Sequence, residues 1–154
     1  MAFERILAGT DGSRGGEAAT RVGGELARAF GAELILVHVV PMPPLVYGVD
    51  QAISDELNEY LEQEAREVMA RAGEILGESG VDYEQVVQPG RAADVLLDIA
   101  EERKVDMIVV GHRGLGSVKR FVLGSVSSKL SHAAQCALVL APVPQDGETD
   151  THIV

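Results

Sequence analysis

The sequence predicts an α/β fold in which a parallel five-stranded sheet is covered by helices on both faces, and three observations carry that reading. Short apolar runs alternate with 3.6-residue apolar periodicities along the whole chain. The runs, of which Leu34 to Val40 is the longest, are nearly unbroken rather than alternating, as in strands buried on both sides. Glycine, proline, aspartate and serine gather where one pattern gives way to the next.

Taken in order, Arg5 to Gly9 is the first strand, running into the turn residues Thr10, Asp11, Gly12 and Ser13. Ser13 is placed to cap a helix whose buried face is Ala18, Ala19, Val22, Leu26 and Phe30 and which Gly31 closes. The second strand, Leu34 to Val40, is stopped by Pro41, Pro43 and Pro44, and residues 41–51 read as an irregular surface loop. A long amphipathic helix then runs from Ser54 to about Glu78. Ile53, Leu57, Leu61, Ala65, Val68, Ala72 and Ile75 form its expected buried stripe, and Glu56, Glu59, Glu62, Glu64 and Glu67 solvate its other faces. Tyr83 to Val87 is the third strand, Pro89-Gly90 the expected turn, and Val95, Leu96 and Ile99 mark the third helix. Met107 to Val110 is the fourth strand and Ala137 to Ala141 the fifth, with a helix between them marked by Val126, Leu130 and Ala133. Residues 1–143 read as one domain, and the polar segment 144–154 as a disordered tail.

One stretch stands apart. From Gly111 to Ser125 the chain reads GHRGLGSVKRFVLGS, a glycine- and cation-rich loop between a strand and a helix start that Ser125 is placed to cap. No acidic residue lies between Met107 and Gln145, whereas Arg113, Lys119, Arg120 and Lys129 do, in a chain of net charge −11. Glycines let backbone N–H groups approach an anion, and a helix start adds unpaired donors and the positive end of its dipole. The loop therefore reads as an anion cradle, against the plainer alternative of a solvated basic loop before an ordinary helix cap.

The spacing of Gly111, Gly114, Gly124 and Ser125, written G-2x-G-9x-G-S, resembles the ATP-binding signature of the universal stress protein family. The opening ILAGTDGS and the overall layout extend the likeness over residues 3–143. The resemblance implies a three-layer, doubly wound, Rossmann-like sheet of strand order 3-2-1-4-5, with its ligand where the winding reverses, between strands one and four. It implies ATP, with Mg2+, bound by Gly9 and Thr10 through the backbone, by Asp11, by the main chain of Val39 at the base, and by Gly111, Arg113, Gly114, Gly124, Ser125 and Val126. Asp11 has a second reading as a plain turn residue, and its contact with a metal ion would be indirect. The resemblance also implies a homodimer through the last strand, Ala137, Leu138, Val139, Leu140 and Ala141.

Composition bounds the remaining choices. At 154 residues and 46% hydrophobic content the chain suits one compact domain. Its acidity argues against nucleic acid or an anionic membrane as a main partner, and no apolar run approaches the roughly 20 residues of a membrane span. Cytoplasmic residence is the resulting expectation. Cys136 is the only cysteine and reads as a small buried hydrophobe on the last strand; His38, inside a strand, reads as a core histidine. For His112, exposure on the loop competes with a place beside the phosphates. The patterns GxxxxGK[ST], GxGxxG after a strand and GxSxG are all missing, and no base for water is evident. The sequence thus reads as an ATP-binding regulatory protein; a nucleotide-free dimeric interaction module and a weak ATPase stay open as alternatives.

Overall fold

A computed structural model describes residues 2–42, 51–112 and 124–144, without the side chains of residues 51 and 52. Its elements in order are β1 (Arg5–Gly9), α1 (Arg14–Phe30), β2 (Glu33–Pro41), α2 (Gln51–Gly77), β3 (Tyr83–Gly90), α3 (Ala92–Glu102), β4 (Met107–Gly111), α4 (Ser125–Ala133) and β5 (Ala137–Ala141). The strands form one parallel sheet of order β3-β2-β1-β4-β5. The winding thus reverses at β1, which has β2 on one side and β4 on the other.

Alternate residues of each strand feed two separate cores. Ile6, Ala8, Leu34, Leu36, Met107 and Val109 pack under α1 and α2 with Ala19, Ala27, Met69 and Leu76. Leu7, Ile35, Val37, Ile108 and Val110 pack under α3 and α4 with Leu96, Ile99 and Leu130. A sheet covered on both faces has no polar side, which is why the strand sequences run apolar without alternation. The open edge strand β3 is the exception, with most of its residues exposed. Among the described residues no helix is long and apolar enough to cross a membrane.

Several boundaries differ from the sequence reading. Pro89 and Gly90 do not turn the chain: they remain in β3, opposite Val40 and Pro41. An edge strand tolerates proline because a missing N–H on its open side breaks no ladder bond. The buried stripe of α2 begins only at Ala65, and Ile53 is 58% exposed, with Leu57 and Tyr60 also exposed. Length explains this, since 27 helical residues span about 40 Å, while the nine residues of β2 span about 30 Å. The helix starts at Gln51, ahead of Asp55 and Glu56, so no acid lies in its first turn. Cys136 precedes β5 rather than lying on it; it is half-buried, and burial pushes its thiol pKa up. Of the segment 144–154, the Pro144 carbonyl accepts from Arg14 Nη2 at 2.8 Å, and 145–154 lie outside the described residues.

Candidate functional site

All five strands run parallel, so their carboxyl ends share one edge of the sheet, and the site residues named from sequence belong to segments leaving that edge. Ala8 lies opposite Val109, which sets the segments after β1 and β4 side by side.

The β1–α1 turn is built from its own side chains. Ser13 caps α1, as its sequence position predicts, by accepting from Gly16 N at 3.1 Å. Asp11 Oδ1 accepts from Ser13 N at 3.0 Å and from Ser13 Oγ. Thr10 Oγ1 takes the Gly12 N–H at 3.3 Å. Gly12 sits at φ 78°, and a Cβ there would come within 2.7 Å of Val68 Cγ2, so neither backbone nor space admits a side chain. Asp11 is thereby a turn residue that remains exposed at the crevice mouth.

At the end of β4 the chain passes close against α1. A Cβ on Gly111 would lie 2.6–2.8 Å from the backbone of Gly15, so only glycine lets the strand end and the helix start meet. His112 follows, its N–H donating to the Ala141 carbonyl at 2.9 Å. Twelve residues later the chain returns to the same point: Gly124 N donates to the His112 carbonyl at 3.3 Å. Ser127, only 1% exposed, donates from Oγ toward the carbonyls of both Gly124 (3.1 Å) and His112 (3.3 Å). The two ends of the glycine-rich loop are thus stitched together, and Gly111, Gly124, Ser125 and Val126 are neighbours. Arg113 and Gly114 lie outside the described residues, as do Lys119 and Arg120.

Ser125 does not cap α4. Gly124 occupies the cap position, at φ −60° and ψ 161°, with no side-chain cap bond, and Ser125 is the first helical residue. The start of α4 therefore presents backbone N–H donors without a serine oxygen competing for them. Lys129 does not serve as a crevice cation: its ammonium pairs with Asp94 on α3 and holds that carboxyl below its usual range. The acid-free run of sequence hid this, because the neutralising carboxylate comes from another element.

Sequence reasoning passed over three contributors. Ser127 looked like one more helix serine, and Gly15 carried no spacing signal. His38, read only as a core histidine, is 5% exposed and its Nδ1 lies 2.9 Å from the Thr10 carbonyl. It immediately precedes Val39 in β2, one residue past the Gly9–Val37 pair at which the β1–β2 register ends. Among the described residues no three His, Cys, Asp or Glu side chains converge as a metal site.

A five-stranded parallel sheet of order β3-β2-β1-β4-β5 with helices on both faces defines a doubly wound α/β protein. The chain belongs to the universal stress protein family, whose model matches residues 2–142. A universal stress protein of Thermus aquaticus is 36% identical over 138 residues, covering 90% of this chain and 98% of its own. Universal stress protein YxiE of Bacillus subtilis is 32% identical over 146 residues, with 90% and 98% covered. Among solved structures, the UspA protein of Lactobacillus plantarum superposes with TM-score 0.78 at 24% identity, over 92% of this chain and 99% of that one. A universal stress protein in complex with cAMP superposes with TM-score 0.73 at 24% identity, over 94% and 100%. Family members from Arabidopsis thaliana and Archaeoglobus fulgidus were solved with AMP and dAMP respectively.

Proposed function

We propose that this chain binds an adenine nucleotide, ATP with Mg2+, in the crevice between the ends of β1 and β4, and acts as a nucleotide-dependent regulatory protein of the cytoplasm. The observation that carries the reading is the closed base of the loop: the Gly124–His112 bond sets Gly124 and the start of α4 beside the end of β4, at the sheet's switch point. Relatives of the same fold solved with cAMP, AMP and dAMP support an adenine nucleotide there. The triphosphate rests on the motif spacing Gly111, Gly114, Gly124 and Ser125, with Arg113 beside it. Val126 and the N–H groups at the start of α4 complete the phosphate end; Gly9, Thr10 and Val39 face the nucleoside through their backbone. Asp11 Oδ1 is already engaged by Ser13, so its part in holding Mg2+ is indirect, through a bridging water.

The sequence identifies no positioned base for water, so the reading is of binding, with slow turnover left to the measurement. Denaturing freshly purified protein and analysing the supernatant by mass spectrometry tests the reading. ATP or ADP released in near-stoichiometric amount is the expected result; no nucleotide released, and none bound on titration with Mg-ATP, would overturn it.

A homodimer through β5 is the companion proposal. β5 is an edge strand with partly buried Leu138, Val139 and Leu140 between exposed Ala137 and buried Ala141, an edge that a second copy would cover.

A further inference from the structure

His38 does more than fill the core. In a parallel ladder each residue facing its neighbour donates an N–H and accepts through its C=O. The β1–β2 register ends with Gly9 opposite Val37. Thr10 still donates its N–H to the Val37 carbonyl at 2.9 Å. The next bond of that ladder would run from the Val39 N–H to the Thr10 carbonyl. In its place the imidazole of His38 meets that carbonyl, Nδ1 to oxygen at 2.9 Å. A carbonyl only accepts, so Nδ1 carries the proton. Both groups are buried, Thr10 at 7% and His38 at 5% exposure, so the bond is shielded from water.

We infer that His38 is a positioning residue for nucleobase recognition: its ring substitutes for the last β1–β2 ladder bond, turning the chain away at Thr10 and leaving the main chain of Val39 open toward the crevice. The inference rests on the nucleotide reading above. Side-chain donation to Thr10 ends β1 at Gly9, opposite Val37, while β2 runs on to Pro41, and so creates the step in the sheet against which a flat base edge can form backbone hydrogen bonds. Without the donor, Thr10 and Val39 are free to complete the ladder and close that step.

Two measurements on the unmodified chain and two variants test this. Long-range 1H–15N correlation should find the His38 ring protonated at Nδ1, and the Val39 amide should exchange with solvent faster than the Val37 amide. A neutral ring with its proton on Nε2, or a protected Val39 amide in the free protein, overturns the inference. Asparagine places a donor where Nδ1 stands, whereas leucine has none. His38→Asn should keep ATP affinity and the ratio of ATP to GTP affinity. His38→Leu should weaken ATP by about tenfold and erase that ratio, with inorganic tripolyphosphate binding unchanged. If His38→Leu retains the wild-type ATP affinity and ratio, the inference falls and the nucleotide reading stands. If the wild-type chain binds ATP no better than tripolyphosphate, both fall.

Discussion

At the scale of single residues, the site depends on atoms that are missing as much as on those present. Gly111→Ala would force its new methyl into Gly15, 2.6 Å away, in a contact made of backbone on both sides that cannot rotate aside. We expect a loss of about 1–3 kcal/mol in urea unfolding together with weaker nucleotide binding. Gly124 differs, because its φ of −60° and ψ of 161° suit any residue. Gly124→Val should abolish ATP binding in calorimetric titration while shifting the thermal midpoint little; retained affinity would count against the cradle. Ser125 and Ser127 separate by the same reasoning. Ser125→Ala removes no cap and should leave stability nearly unchanged, whereas Ser127→Ala strips a buried donor from two carbonyls and should cost about 1–2 kcal/mol. Away from the crevice, Asp106 accepts the N–H groups of Glu4 at 2.8 Å and Arg5 at 2.9 Å, which holds its carboxyl below the usual range. A depressed folded-state pKa adds stability above the unfolded value, near 3.9, that is lost as pH falls through the folded one. The stability advantage of wild type over Asp106→Asn in urea unfolding should therefore be full at neutral pH and shrink below about pH 4.

At the scale of elements, how much could be read from sequence followed from how local the cause was. The cap at Ser13, the stop at Gly31 and the limits of β5 rest on residues within one turn or strand, and the sequence reading placed them correctly. The start of β3's turn was misplaced because proline's meaning depends on whether its strand is an edge, which is a tertiary fact. The stripe of α2 was overextended because periodicity shows which face is apolar, not how far the sheet beneath it reaches. At the site, spacing exposed the glycines, but the bonds that gather them use the His112 carbonyl and a buried serine, groups that carry no pattern. The exposed start of α2 gives a direct check: Leu57→Gln should change unfolding free energy by less than about 0.5 kcal/mol, while Ile75→Ala should cost about 2–5 kcal/mol.

At the scale of the whole molecule, the order β3-β2-β1-β4-β5 divides the labour. On the proposed reading, the centre of the sheet supplies strand ends for a nucleotide and the β5 edge a surface for pairing. If β5 is the dimer contact, Val139→Lys should convert the protein to monomer in light scattering without loss of nucleotide; a dimer that persists would place the contact elsewhere. The stitched base of the glycine loop also bears on how such a chain can change. Its two feet are fastened to each other by the Gly124–His112 bond and by Ser127, on either side of the intervening span. Between ends held that way, lengthening the connecting sequence costs only a logarithmic entropy penalty. Selection, or an engineer, can therefore rewrite the span while the scaffold beneath it goes on folding as before.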